Sequence, residues 1–221
     1  DGKQKIKAKL IAATFEHCSS RANDPDLHTH AVVMQVVVGE DGKTSALYNN
    51  YTFYENKILI GRMYRAELAH QLQQKLHYGL VQDLTLEKGY DLFELKGVNT
   101  SLMRHFSKRR QEIEEQLQRE GYTGAKAAAV ATEMSRKAKT SVSRPALFQR
   151  WQQEGRDFQY QPPLRGGIAP DPAQTQWQVV KEALKRLHKH HSSFSQQQLR
   201  REIAALAPSF GLDIDWINKI T

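Results

Sequence analysis

The stretch Phe15-Glu-His17-Cys-Ser-Ser-Arg-Ala-Asn-Asp-Pro-Asp-Leu-His28-Thr-His30 decides how this chain is arranged. Side chains alternate between the two faces of a β-strand, so His28 and His30 should lie on the same face. If the segments on either side of the loop pair as an antiparallel hairpin, His17 ends one strand where His28 begins the next. We therefore predict that three imidazoles converge at one end of a sheet, on one face.

The segments around this loop have the composition of strands. Leu10–His17 is predicted to be the first strand, and the apolar run Ala31–Val38 is predicted to be a second, buried strand. The turn signal Gly39-Glu-Asp-Gly42 follows, and a third strand is expected from Lys43 to about Tyr48. Together they indicate an antiparallel sheet.

The remaining chain is mostly helical by its apolar periodicity. A helix is predicted over 56–78, with Leu59, Met63, Leu68, Leu72 and Leu76 as its buried stripe. A β-hairpin is predicted from 80–86 and 90–95. Further helices are predicted over 99–119, 125–139, 143–155, 173–191, 195–207 and 213–219. Residues 161–172 hold several prolines and two glycines, so we expect a linker between a first domain, 1–160, and a helical extension, 173–221.

Composition favours an intracellular protein without a membrane span. The chain has 221 residues, of which 39% are hydrophobic and 25% charged, and no apolar run approaches the roughly 20 residues that span a bilayer. Its single cysteine, Cys18, excludes an internal disulfide framework and indicates a reducing compartment, so a cytoplasmic location is expected. In a strand Cys18 would face away from His17, which favours a bystander thiol over a metal ligand.

The positive charge of the chain is concentrated in its middle. Residues 1–98 contain 12 Lys/Arg and 12 Asp/Glu, whereas residues 99–150 contain 11 and 5. A basic block of this kind is typical of proteins that bind polyanions, most simply nucleic acid. A solvated helical face explains the charge equally well, and composition alone does not separate the two.

Three histidines on rigid strands suit an open metal site. Neutral imidazole binds many divalent transition metals, and three protein ligands leave coordination positions for water or substrate. A bound divalent ion could polarise a phosphoryl oxygen. Ordinary surface histidines are the alternative for an isolated His-x-His step, and the third, correctly phased histidine favours metal binding. Asp24 and Asp26 are expected either to orient an imidazole or to cap the turn.

The segment from Phe15 to Val33 resembles the three-histidine segment of TraI/TrwC-type conjugative relaxases, members of the HUH endonuclease superfamily. The resemblance extends over about residues 8–160. It includes the later segments Gly61-Arg-Met-Tyr-Arg-Ala-Glu-Leu68, Phe106-Ser-Lys-Arg-Arg-Gln-Glu-Ile113 and Ser135-Arg-Lys-Ala-Lys139.

The resemblance implies an α+β fold in which an antiparallel sheet of four or five strands presents the histidines on one face, with helices packed on it and a helical C-terminal extension. It implies that His17, His28 and His30 hold a divalent metal ion, such as Mg, Mn, Zn or Ni. In the family this ion positions the scissile phosphate of single-stranded DNA at an origin of transfer. A tyrosine then attacks and forms a 5′-phosphotyrosyl intermediate. Candidates for contacts with DNA are Arg62, Arg65, Lys108, Arg109, Arg110, Arg136, Lys137 and Lys139.

One family feature has no counterpart here. The nucleophilic tyrosines of such relaxases precede the histidines, but no tyrosine precedes His17 in this chain. We therefore expect the metal-binding and DNA-binding part of a relaxase, with no certain catalytic residue. Its expected partners are a complementary N-terminal relaxase segment, a helicase domain, other conjugation proteins or a second copy of the chain. A non-enzymatic DNA-binding module or scaffold derived from a relaxase is the alternative.

Overall fold

The computed structural model describes residues 7–48, 51–86, 90–121, 123–135, 142–163 and 165–221. The fold is α+β, as predicted. In chain order the elements are β1 (Ala8–Ser19), β2 (Pro25–Gly39), β3 (Thr44–Ala46), α1 (Tyr51–Gln74), β4 (Leu80–Val81), β5 (Glu94–Leu95), α2 (Thr100–His105), α3 (Lys108–Glu120), α4 (Ala125–Met134), α5 (Arg144–Asp157), α6 (Pro172–His190), α7 (Gln196–Phe210) and α8 (Ile214–Ile220).

These elements form two compact units, each made from two separate parts of the chain. Unit 1 comprises Asp1–Tyr48 and Asn99–Tyr160, and unit 2 comprises Asn49–Val98 and Gln161–Thr221. The units therefore do not follow the linear order of a first domain, a linker and an extension. The boundaries at 160 and 172 stay a prediction.

Unit 1 contains an antiparallel sheet in the order β1-β2-β3. In its register His17 lies opposite His28 and Phe15 lies opposite His30. Among the described residues the sheet has three strands, and β4 and β5 form a separate two-stranded pair in unit 2. The described residues therefore do not form the expected single sheet of four or five strands, because the predicted 80–95 hairpin pairs by itself, over two residues on each side.

The prediction that Ala31–Val38 is a buried strand is also wrong for this structure. Only Val37 of that run is buried, and Val32 and Met34 are 55% and 48% exposed. Leu10 and Phe15 on β1 are 50% and 54% exposed. Since neighbouring positions of a strand face opposite ways, solvent reaches both faces of the sheet along most of its length.

The helix predicted over 99–119 is divided into α2 and α3 at Phe106 and Ser107. The Ser107 hydroxyl donates to the carbonyl of Met103 at 2.6 Å, and the Ser107 N–H donates to the carbonyl of Arg104. These bonds tighten the last turn of α2. The break leaves the first N–H groups of α3 free to meet partners outside the helix.

Unit 2 encloses the larger core. Helices α1, α6, α7 and α8 pack around a core of aliphatic side chains, several of them alanines. The buried residues of this core are Leu59, Ala66, Val179, Ala183, Ile203, Ala204, Leu206, Ala207, Leu212 and Ile217. Ser195 caps the start of α7 in a capping box with Gln198. Across the described residues, no helix combines the length and the apolar character that crossing a bilayer requires.

Candidate metal centre

The three histidines converge as the strand register predicts. His17, at the end of β1, faces His28 and His30, near the start of β2, with ring centroids 5.4 and 4.7 Å away. The rings of His28 and His30 are 4.9 Å apart. One ligand nitrogen from each ring lies within 4.8 Å of the others. The hairpin register brings the three rings to one face of the sheet.

A hydrogen bond orients one of the three rings. Nδ1 of His28 lies 2.8 Å from the carbonyl oxygen of Asp26, a distance at which the ring N–H donates to that carbonyl. The Asp26 carboxylate lies 3.5 Å from the same nitrogen. With Nδ1 engaged, Nε2 of His28 is the nitrogen left to bind a metal ion. Asp26 therefore orients the His28 imidazole. Its backbone carbonyl is the main contact, because that oxygen lies closer to the ring nitrogen than the carboxylate does.

The donor set fits a divalent transition metal. Three neutral imidazoles on two paired strands are the ligands that Zn, Cu, Ni and Fe accept, whereas Mg prefers oxygen atoms. His17 and His30 are exposed and His28 is half-buried, so substrate has access to the open positions of such a site. Cys18 lies outside the cluster, as expected from strand alternation.

The loop between the triad strands is held by the helices of unit 1. Asp24 is only 1% exposed, and its carboxylate accepts from the backbone N–H of Lys108 at 3.0 Å and from its ammonium group at 2.9 Å. The carbonyl of Asn23 accepts from the indole N–H of Trp151 at 2.9 Å and from the guanidinium group of Arg150. The sequence motifs did not predict these partners, because they lie more than 80 residues away along the chain.

Most of the predicted DNA contacts are engaged within the protein. Arg62 binds Asp91 and Glu202, and Arg65 also binds Asp91. Lys108 pairs with Asp24 as described, and 39% of its side chain is exposed. Contact of these three residues with DNA stays a prediction.

The next two arginines differ in exposure. Arg109 bonds Glu112 and the carbonyls of Thr132 and Ser135, and 19% of its side chain is exposed. Arg110 pairs with Glu114 and is 66% exposed. Arg110 is therefore the most accessible of the five described candidates, whereas Arg136, Lys137 and Lys139 lie outside the described residues.

Arg62 belongs to a polar network inside unit 2. The hydroxyl of Tyr90 donates to the Glu202 carboxylate at 2.7 and 2.8 Å, and the Arg62 guanidinium lies 3.6 Å from the same carboxylate. Burial and the bond to Glu202 raise the pKa of Tyr90. The network joins α1, α7 and the 90–91 segment, so a structural role accounts for these groups.

Comparison with known proteins extends the similarity beyond the histidines. The family model described as TrwC relaxase matches residues 1–158. The multifunctional conjugation protein TraI of Escherichia coli strain K12 is 30% identical over 158 residues, which cover 67% of this chain and 8% of TraI. A second Escherichia coli TraI is 28% identical over the same length.

Solved structures of the relaxase TrwC are similar in fold and sequence. The copper-bound complex of TrwC with oriT DNA has a TM-score of 0.60 and 34% identity, covering 69% of this chain and 51% of that one. The complex of TrwC with a 27-mer DNA, containing the recognition hairpin and the cleavage site, gives the same score and identity. The chain spans about half the length of these structures. On the family match and these relatives together, the chain belongs to the TrwC relaxase family.

Proposed function

We propose that this chain is the metal-binding and single-stranded-DNA-binding part of a conjugative relaxase, which nicks and rejoins DNA at an origin of transfer through a tyrosyl-phosphodiester intermediate. The observation that carries the proposal is the convergence of His17, His28 and His30 on one sheet face. The relatives support it, since TrwC has been solved in complex with oriT DNA in both metal-bound and metal-free forms.

In this proposal the three imidazoles hold a divalent ion whose open positions face solvent. When bound, the ion supplies Lewis-acid polarisation of a phosphoryl oxygen and offsets charge that develops during phosphoryl transfer. The chain's own contribution is positional. The β1–β2 register fixes the spacing of the rings, and the Asp26 carbonyl fixes the tautomer of His28. The ligand set favours Mn, Ni, Cu or Zn over Mg.

Metal binding tests the proposal directly. The purified chain is expected to bind about one transition metal ion, measured by elemental analysis after dialysis. His28→Ala should abolish that binding, because two exposed histidines are a weak site. His190→Ala, which changes an exposed histidine of α6, is the matched control and should bind as the unchanged chain does. Equal metal content in His28→Ala and the unchanged chain would contradict the proposal.

DNA binding is tested with a single-stranded oligonucleotide that contains an oriT hairpin. Each lost phosphate contact should lower the slope of log affinity against log salt by about 0.7. We expect this for Arg110→Gln, because its side chain is 66% exposed. Arg109→Gln is the control, since that guanidinium is engaged by backbone carbonyls. An unchanged slope in Arg110→Gln would exclude it as a phosphate contact.

A cleavage assay tests the source of the nucleophile. As the family resemblance implies, we propose that the nucleophilic tyrosine belongs to a relaxase segment that lies before the histidine hairpin. The chain alone should form no covalent DNA adduct on a denaturing gel, and adding the N-terminal segment of a relaxase should restore one. An adduct formed by the chain alone would overturn this part of the proposal.

The exposed sheet provides a surface for that complementary segment. Among the described strands of this sheet β1 lies at an edge, and apolar side chains on both faces of the sheet reach solvent. Edge strands and exposed apolar faces favour pairing with another chain. We propose that this surface receives the complementary segment of the relaxase in the bacterial cytoplasm, and that a second copy of this chain is the competing occupant.

A further inference from the structure

We infer that Asp24 is a positioning residue for the metal centre: the ion pair between its buried carboxylate and Lys108 fixes the loop that sets the distance between His17 and His28. This inference rests on the proposed metal-binding function. Under this inference Lys108 holds the loop between the histidines and does not contact a DNA phosphate.

The burial of Asp24 requires an explanation. An ionised carboxylate that is almost fully removed from water costs several kcal/mol unless charged or hydrogen-bonding partners compensate it. Here each of its two oxygens has one partner: Oδ2 accepts from the Lys108 N–H at 3.0 Å, and Oδ1 accepts from the Lys108 ammonium group at 2.9 Å. Glu154 lies 3.8 Å from the same ammonium group. An ion pair on a buried carboxylate is weak evidence for added stability, so a role in fixing the loop geometry explains the pair better.

The position of Lys108 makes it a suitable anchor. It is the first residue of α3, and its N–H is one of the groups that a helix start leaves without an intrahelical partner. A carboxylate at this point also interacts favourably with the positive end of the helix dipole. The break between α2 and α3 at Ser107 thus creates the place that Asp24 occupies.

Hydrogen bonds within the loop transmit this anchor to the strands. The Ser20 N–H donates to the Asp24 carbonyl at 2.9 Å, and the Asn23 N–H donates to the Ser20 carbonyl at 3.0 Å. The Asp24 N–H donates to the Ser20 hydroxyl at 3.2 Å. Asn23 has a φ of 59°, a left-handed conformation that asparagine tolerates better than most residues.

The anchored loop stands directly between the ligands. Ser19 pairs with Pro25, and the next direct pair recorded along the ladder is His17 with His28, with a register irregularity between His17 and Ser19. The irregularity interrupts the regular ladder between Ser19 and His17, so contacts from outside the hairpin help to fix the loop at this point. Trp151 and Arg150 hold the Asn23 carbonyl from α5 and support the same loop.

Asp24→Asn is the direct test, with Co²⁺ as the probe metal. The amide keeps the size of the carboxylate and one acceptor for the Lys108 N–H, but it loses the ion pair. We expect the Co²⁺ affinity, measured by titration of the visible absorption band, to fall about tenfold or more, as for other groups that orient metal ligands. The shape of the band should change as well, and this is a readout that a loss of stability alone would not produce.

Lys108→Gln and Asp24→Glu complete the series. Lys108→Gln keeps the bond from the backbone N–H, so its affinity loss should be smaller than that of Asp24→Asn. Asp24→Glu should restore the band shape in part, because it restores the charge. Arg119→Gln, on the same helix and in an exposed ion pair with Glu115, is the control and should bind Co²⁺ as the unchanged chain does.

The outcomes separate the two proposals. If the unchanged chain binds no Co²⁺, the proposed metal function fails. If it binds Co²⁺ and folded Asp24→Asn binds it equally well with the same band, the positioning role of Asp24 is overturned. Circular dichroism of the metal-free variants establishes folding. If Asp24→Asn does not fold, Lys108→Gln decides: an unchanged affinity and band in that variant overturns the inference.

Discussion

At the scale of single residues, the Tyr90 hydroxyl is the clearest source of a pH effect. Its pKa is raised by burial and by the bond to Glu202. Below the ordinary tyrosine pKa of about 10, the folded and unfolded chains are both protonated, so the stabilisation is fully present. Above it the unfolded chain loses the proton first, so the stabilisation is lost as the pH rises through the folded pKa.

Tyr90→Phe tests this effect. At pH 8 the free energy of unfolding of the variant should be about 1–2 kcal/mol lower than that of the unchanged chain. This is the usual loss when a partly exposed hydrogen bond to a charged group is removed. Between pH 10 and 12 the difference from the unchanged chain should shrink. Urea unfolding at a series of pH values measures both quantities. A difference that stays constant through this range would contradict the assignment.

The two aspartates of the triad loop show what could be predicted residue by residue. Strand alternation and a hairpin register suffice to bring His17, His28 and His30 together, because both rules act locally. For Asp24, the sequence alone could not decide whether the side chain orients an imidazole or caps the turn. Its partner Lys108 is 84 positions away, and only the tertiary structure brings the two together.

At the scale of elements, α1 shows where apolar periodicity misleads. The predicted stripe included Leu68 and Leu76, which are 38% and 41% exposed, whereas Ala66 and Ala69 are fully buried. Ala66 belongs to the same core as Ala204 and Ala207 of α7. Small side chains allow helices to approach closely, and a pattern that weighs only large apolar residues misses such a face.

Ala66→Leu and Leu68→Ala form a matched pair for this helix face. Ala66→Leu should destabilise unit 2 by about 1–3 kcal/mol, because it overpacks a closed interface. Leu68→Ala should cost less than about 1 kcal/mol, since that side chain is partly in solvent. Urea unfolding followed by Trp216 fluorescence measures both. The opposite order of the two effects would support the predicted leucine stripe instead.

At the scale of the whole molecule, the uncovered sheet of unit 1 determines how the chain behaves at high concentration. The apolar run 31–38 was recognised in the sequence as a core strand, and its composition is that of one. Its exposure could not be foreseen, because it depends on which segments lie over the sheet. Exposed apolar strands with a free edge associate readily.

Leu10→Lys tests this behaviour at a position on β1 that is 50% exposed. A charge there should reduce concentration-dependent self-association, measured by sedimentation velocity, because an inserted lysine opposes edge pairing. Val81→Lys is the control, since Val81 is 51% exposed but lies in a two-residue strand of unit 2. If both substitutions reduce association equally, added charge rather than the sheet explains the result.

The two-part construction of unit 2 has a consequence for the order of events on the ribosome. Helix α1 ends at Gln74, but α7, which shares its core, begins only at Gln196. At about 5–20 residues per second, the intervening stretch takes on the order of 10 s to synthesise. During that time the part of α1 that packs against α7 lacks this native partner. Apolar surface of α1 therefore stays exposed to solvent until α7 has been synthesised.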